Sequence, residues 1–411
     1  MNHETTPLPS SFRKFRLGAA GLLLVVALLA GCATAPAGGD AAFYAYSGAV
    51  PGTPGMLLRS EPLPPKLGLE AAARQYRILY TSTDGRTGSG QLVTSGAVFY
   101  PKGPAPTGGW PIVAWAHGTV GVADICAPSR NVRSKRDADY LDAWLRQGFA
   151  VVATDYQGLG TSRISGPHLY LDTRSEAYSV LDSVRAALGG MKDLSNRVII
   201  VGQSQGGGAA FATAGYAPTY APDLKVLGTV ATGTPDLAHL GPSPYRPDEV
   251  NPTLAYAMYI GLTVQALDPA IRSDQFYTER ALPVYAKAGS ICLGPLENDI
   301  KAAGLTNANT LLPGGTPLAF RVLGRSLLYP TYKLEQPLFM GTGGADRDVS
   351  TAQQLRLAKD ACAAGTRVQQ HVYPGLSHSA TVNASLADSI PFVRSLLAGQ
   401  PVQSTCASGP D

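Results

Sequence analysis

The run Arg197-Val198-Ile199-Ile200-Val201-Gly202-Gln203-Ser204-Gln205-Gly206-Gly207-Gly208-Ala209-Ala210 decides how the chain folds. Residues 198–201 are four consecutive β-branched residues, as in a strand buried on both faces. A glycine- and alanine-rich helical stretch follows, and Gly202-Gln203-Ser204-Gln205-Gly206 is the sharp turn between the two. In this G-x-S-x-G frame the serine sits at the tip of the turn in a strained backbone conformation. Glycines two residues before and after it remove side chains where strand and helix nearly touch. Five such common residues alone say little. Their place between a strand and a helix makes Ser204 the candidate nucleophile.

The surrounding elements alternate. Residues 73–84 and 89–100 read as an antiparallel pair of strands joined at Asp84-Gly85. Strands are expected at 111–116, 149–155, 198–201 and 224–232, with helices at 137–146 and 175–188. Residues 337–341, 349–363, 368–373 and 385–397 add strand, helix, strand and helix. This order predicts an α/β fold with a mostly parallel sheet flanked by helices, and functional groups at the carboxyl ends of the strands. The alternation breaks across residues 234–331, which hold many prolines and two aromatic-rich apolar segments, 254–267 and 276–285. That stretch is far too long for a loop. It reads as a mainly helical cap inserted before the last two core strands; a second independent domain is disfavoured because sheet elements resume after it. The expected organisation is a leader at 1–31, a tether and N-terminal wrap at 32–72, core at 73–233 and 332–411, and cap at 234–331.

The 411 residues are 45% hydrophobic and 15% charged with net charge +4, enough for a large core and no sign of a nucleic-acid partner. The leader has a basic start, Arg13-Lys14-Phe15-Arg16, and an apolar run at 17–30 that is short for a membrane span. It ends in Leu29-Ala30-Gly31-Cys32, which resembles the lipobox of bacterial lipoproteins. The resemblance implies cleavage before Cys32, lipidation of that cysteine, and anchoring in the cell envelope. Ala33 in place of Asp favours the outer membrane in such proteins. Cys126, Cys292, Cys362 and Cys406 remain, and an even number in an exported chain suggests two disulfides. Of three pairings, Cys126–Cys292 and Cys362–Cys406 are favoured. The first would tie a core loop to the cap, the second the C-terminal tail to a nearby helix. Their scattered spacing argues against a zinc site, and no His/Asp cluster shows metal-ligand spacing.

A serine hydroxyl needs a base, and the base needs an orienting carboxylate. Of six histidines, His3 lies in the leader, His117 suits an oxyanion loop, His168 precedes a helix, His239 falls in the cap and His371 inside the last strand. His378 follows that strand by a short glycine-containing loop, at the sheet edge where Ser204 belongs, and is the expected base. Asp346 and Asp348 both follow the penultimate strand. The G-x-x-D-x-x-V frame of Gly343, Asp346 and Val349 favours Asp346, leaving Asp348 as a helix N-cap. Ser…Asp…His is the chain order of α/β-hydrolases. The oxyanion donors are expected to be the backbone N–H of Gln205, after the nucleophile, and that of Thr119 in the loop after residue 116. Gln203 has no role derivable from the sequence.

Together these stretches resemble the secretory lipases of the α/β-hydrolase superfamily. The resemblance rests on Trp115-Ala116-His117-Gly118-Thr119, Asp155-Tyr156-Gln157-Gly158-Leu159-Gly160, Gly166-Pro167-His168-Leu169-Tyr170, Leu181-Asp182-Ser183-Val184-Arg185-Ala186, G-Q-S-Q-G-G-G, and the Asp and His segments. Phe43-Tyr44 and Pro54-Gly55-Met56-Leu57-Leu58-Arg59 add an N-terminal match. It implies hydrolysis of carboxylic, lipid-like esters, a cap over a hydrophobic acyl-binding tunnel, and no cofactor. The competing expectations are the same three residues acting on peptides or polyesters, and a non-catalytic envelope protein on the same scaffold.

Overall fold

The computed structural model describes residues 40–406; the leader and Cys32 lie outside the described residues. Nine strands form one sheet: β1 (Leu57–Pro62), β2 (Ala72–Thr83), β3 (Gln91–Pro101), β4 (Trp110–Ala116), β5 (Ala150–Thr154), β6 (Leu194–Gln203), β7 (Val226–Thr232), β8 (Leu338–Gly343) and β9 (Val368–Tyr373). Their spatial order is β1-β2-β3-β5-β4-β6-β7-β8-β9. β1, β2, β3 and β5 pair antiparallel in turn, and every pair from β5 through β4 to β9 is parallel. This is the expected α/β-hydrolase arrangement.

The central strands are apolar on both faces because helices cover both. Val113 and Trp115 of β4 and Ile199 and Val201 of β6 share a cluster with Tyr140 and Trp144 of the helix Lys135–Arg146. The alternate residues Ile112, Ala114 and Val198 pack on the other face with Val180 and Val184 of the helix Thr173–Gly190. The carboxyl ends of β4, β6 and β7 lie side by side, with Ala116 opposite Gly202 and Gly202 opposite Ala231.

Between β7 and β8 the chain is helical, with Leu254–Leu267, Leu282–Ala288, Leu293–Ala302 and Gly315–Leu323 as its longer helices. It has a separate apolar core around Met258, Tyr259, Phe276 and Leu296, which two residues of the main body, Tyr170 and Leu171, also join. Disulfides link Cys126 to Cys292 and Cys362 to Cys406, each across a Cα separation of 5.5 Å. Among the described residues no helix is long and apolar enough to cross a membrane.

Among the elements, β1 and the helix His378–Ala384 depart from the sequence reading. β1 lies in the segment read as irregular; it is a six-residue edge strand with no fully buried residue, so it carries no alternating pattern. After β9 and the short loop 374–377 there are two helices, His378–Ala384 and Leu386–Leu397, where one at 385–397 is expected, and His378 is the first residue of the added helix. Ser377 caps that helix by accepting the N–H of Ala380.

Candidate active site

β6 ends at Gln203, and the helix Gln205–Tyr220 begins two residues later. Ser204 between them has φ 59° and ψ −123°, a conformation that a side-chain-bearing residue adopts only under constraint. The constraint is visible. A Cβ on Gly202 would lie 1.9 Å from the Gly206 carbonyl oxygen, and one on Gly206 would lie 1.9 Å from the oxygen of Ala116. Both positions must be glycine for strand, turn and helix to approach this closely.

His378 and Asp346 reach the same sheet edge from the segments after β9 and β8. The His378 Nδ1–H donates to Asp346 Oδ2 at 2.7 Å, and both side chains are buried. Gln354 Nε2 donates to the same oxygen at 2.9 Å, while Oδ1 accepts the N–H groups of Asp348 and Val349, each at 2.9 Å. Four donors therefore fix this carboxylate. A neutral imidazole protonated at Nδ1 presents Nε2 as an acceptor. Gln203 occupies that acceptor: its Nε2 donates to His378 Nε2 at 3.0 Å. Among the described residues no hydrogen bond joins Ser204 Oγ to the imidazole, although Gln203, Ser204 and His378 line one cavity. Gly233, at φ +60°, leaves the slot for the ring; a Cβ there would stand 2.5 Å from His378 Cε1.

Asp348 takes a different part. Its Oδ1 accepts the hydroxyl of Tyr256, on the cap helix Leu254–Leu267, at 2.8 Å. It is not the expected N-cap of the helix Thr351–Ala363; Ser350 caps it by accepting the N–H of Gln353. Two residues too early for the cap, Asp348 lines the cavity instead.

The backbone N–H groups of Gln205 and Thr119 have no acceptor among the described residues. Gln205 N–H is in the first turn of its helix, where the helix dipole favours negative charge. Thr119 lines the cavity beside Ser204. His117 lies under this loop, its ring facing the carbonyls of Gly118 and Asp155, and burial holds it below the usual imidazole range. The cavity measures about 550 Å³. Arg133, Arg136, Asp137, Glu297 and Asp348 line it alongside Trp115, Val120 and Leu293. Burial, reinforced by the Asp348 charge, pushes the Glu297 carboxyl above the ordinary range. A second cavity, of about 170 Å³ and almost wholly apolar, lies within the cap between Ile260, Phe276, Phe320 and Leu323.

The other histidines are not brought to Ser204. His371 on β9 stacks on Phe339, and His168 is buried against Tyr156. His239 donates from Nδ1 to Asp236 at 2.9 Å and lies 3.8 Å from Asp360. Asp236, His239 and Asp360 are close enough to share a cation, as are Asp346, Asp348 and His378. Neither group shows as ligand spacing in the sequence, because one member of each comes from a distant segment: Asp360 joins Asp236 and His239, and His378 joins Asp346 and Asp348. Sequence reasoning missed Gln203, whose neighbour Gly118 leaves room for its amide, and the contacts of Tyr170 and Glu176 described below. The G-P-H-L-Y stretch, residues 166–170, was the one signal for Tyr170.

A parallel sheet with a serine on a strained strand-to-helix turn defines an α/β-hydrolase fold. Residues 127–242 match the family model described as Secretory lipase. Lipase A of Moesziomyces aphidis is 27% identical over 197 residues, which are 44% of this chain and 39% of that protein. A secreted triacylglycerol lipase of Malassezia furfur is 34% identical over 104 residues, covering 24% of this chain and 20% of that protein. The aligned part of the chain thus spans about two fifths of the first relative and one fifth of the second. Among solved structures, Candida antarctica lipase A in its closed state is similar with TM-score 0.68 and 18% identity, over 87% of this chain and 86% of that one. The rice cell wall degrading esterase LipA of Xanthomonas oryzae is similar with TM-score 0.62 and 20% identity, over 84% and 99%. These structural likenesses speak for the fold.

Proposed function

We propose that the protein is a serine hydrolase of carboxylic esters, acting on lipid-like esters through an acyl-enzyme intermediate. The observation that carries this reading is the His378–Asp346 hydrogen bond beside Ser204 on its strained turn. In the reaction Ser204 Oγ bonds to the ester carbonyl carbon as its proton passes to His378 Nε2. The Gln203 amide must leave that nitrogen first. Asp346 stabilises the imidazolium, and the N–H groups of Gln205 and Thr119 take the charge on the former carbonyl oxygen. His378 returns the proton to the departing alkoxide as the C–O bond breaks. Water, deprotonated by the same imidazole, then releases the acid and restores Ser204. The match to secretory lipases supports the lipid-ester class.

A second reading is favoured by the five charged side chains around the cavity: short-chain or polar esters rather than long-chain acylglycerols. Hydrolysis of p-nitrophenyl butyrate and p-nitrophenyl palmitate by wild type and Ser204→Ala tests both. We expect Ser204→Ala to lose at least about a thousandfold in kcat; unchanged turnover rejects the mechanism. A preference for palmitate supports the lipase reading, and one for butyrate the esterase reading. A chain that cleaves peptides but neither ester would reassign the substrate class.

We further propose that the core at 73–233 and 332–411 with its cap at 234–331 is carried in the envelope on a lipid at Cys32, after removal of residues 1–31. Two disulfides support an oxidising compartment. Mass spectrometry of the N-terminal peptide checks this. An acylated Cys32 is expected, and an unmodified one excludes the anchor.

A further inference from the structure

Residues 166–172 lead from the short helix Ser162–Ser165, which follows β5, to the helix Thr173–Gly190, and nothing in the mechanism above uses them. They nevertheless touch the side chains of both residues whose backbone N–H groups are the proposed oxyanion donors. On one side, the Tyr170 and Thr119 hydroxyls share a hydrogen bond of 2.7 Å. On the other, the Gln205 side chain reaches away from the cavity and donates from Nε2 to Glu176 Oε1 at 2.6 Å and to His168 Nε2 at 3.1 Å. His168 Nδ1–H donates to the Gln157 carbonyl at 2.9 Å, which leaves Nε2 as the acceptor Gln205 requires. Both amide hydrogens of Gln205 are thereby used, and the residue whose backbone N–H faces the reacting oxygen cannot turn without breaking two buried bonds.

The same segment enters the cap. The Tyr170 ring meets Tyr259 of the helix Leu254–Leu267 edge-on, with centroids 5.5 Å apart, and Leu171 belongs to the cap's apolar core. Leu171 holds φ 63°, a left-handed conformation costly for a bulky residue, and its N–H is tied to Glu176 Oε1 at 3.0 Å. The cap holds the Thr119 loop a second time, through the Leu293 N–H on the Val120 carbonyl at 2.9 Å and through the Cys126–Cys292 disulfide.

We propose that residues 168–171 and Glu176 form a brace that sets both oxyanion donors and couples their placement to the seating of the cap, with Tyr170, His168 and Glu176 as positioning residues. The inference rests on the ester-hydrolase reading for its chemistry. Its geometry stands apart from that reading. A cap displaced from the core would pull on Tyr170 and release the Thr119 loop, so that an open cap has a poorer oxyanion pocket than a closed one.

The test is a double-mutant cycle with Tyr170→Phe and Thr119→Val, read both in urea unfolding and in ester kinetics. Each substitution deletes one hydroxyl and keeps the backbone donor. In kinetics we expect each single variant to lose about tenfold in kcat with KM within about twofold, and the double variant to lose no more than either. In unfolding we expect the two effects to be non-additive in the same sense. Additive unfolding effects overturn the brace, whatever the activity. Unchanged kcat in Tyr170→Phe, with the wild type active, also overturns it while leaving the ester reading intact. A Thr119→Val loss far exceeding that of Tyr170→Phe overturns it as well, because the threonine hydroxyl would then be acting directly. A wild type inert on every ester but with coupled unfolding keeps the brace and rejects the ester reading.

Discussion

The two sides of Ser204 are held in different ways. On the base side, His378 and Asp346 come from segments after the last two strands, and their contacts are short and local: Asp346 is fixed by two backbone N–H groups within three residues and by Gln354 eight residues on. Gln203 is the one side chain there that bonds to the base from the nucleophile's own turn. On the proposed oxyanion side, Gln205 and Thr119 are held by side chains from the helix Thr173–Gly190, from the loop before it, and through that loop by the cap. The base side is built into the sheet edge. Under the proposed brace, the oxyanion side depends on how the cap sits. The two glutamines flanking Ser204 follow the same division: Gln203 ends a strand and faces the cavity, while Gln205 begins a helix and points into the core.

The largest effect expected is on the base side. Asp346→Asn should cost about 10⁴ in kcat by destroying the Nδ1–H···O⁻ bond, whereas Asp348→Asn, at a side chain hydrogen-bonded to Tyr256, should cost less than about tenfold. The reverse order, in the same ester assay, would transfer the role to Asp348. The disulfides separate the two sides at the level of stability. Removing Cys126–Cys292 or Cys362–Cys406 by paired Cys→Ser changes should each cost about 2–5 kcal/mol in chemical denaturation. Only loss of Cys126–Cys292, next to the Thr119 loop, should also lower kcat. Equal kcat in both paired variants would detach the oxyanion side from the cap.

Glu176 gives a pH-dependent test of the oxyanion side. Burial pushes its carboxyl up to about 8, and burial holds His168 down to about 4, so both are neutral between those values. A raised carboxyl favours the folded state fully below the unfolded-state value near 4.5, and that contribution is lost as pH rises through about 8. His168 works in the opposite sense, contributing above about 6.5 and losing its contribution as pH falls toward 4. Glu176→Gln does not titrate but keeps an acceptor oxygen for Gln205 and Leu171. Its stability relative to wild type should therefore improve by roughly 1.4 kcal/mol per pH unit between pH 5 and 7. A difference flat with pH, in urea titrations across that range, would mean the carboxylate is already ionised in the fold. The smallest effect concerns Gln203. Its amide competes for the nitrogen that takes the Ser204 proton, and one such bond is worth about 1 kcal/mol. Gln203→Leu should raise kcat/KM by up to about fivefold; a fall would show that the bond aligns the ring instead.

The sheet, the cap and the residues Ser204, His378 and Asp346 were legible because each depends on local pattern: apolar runs, a turn that only glycine permits, and polar residues just past a strand end. β1 was not, because an edge strand without buried residues has no periodicity to read. The contacts of Gln203, Tyr170 and Glu176 were not, because each is made to a residue distant in sequence. The Asp236–His239–Asp360 group was hidden for the same reason, since Asp360 lies on the far side of the cap in the chain.

The claim beneath all of this is that Ser204 is a nucleophile activated by His378. Labelling with a fluorophosphonate, followed by peptide mapping, tests it without any choice of ester. The account predicts one adduct per chain on Ser204, absent in Ser204→Ala and formed at least about a hundredfold more slowly in His378→Ala. An adduct on another residue, or labelling that persists undiminished in Ser204→Ala, would contradict it.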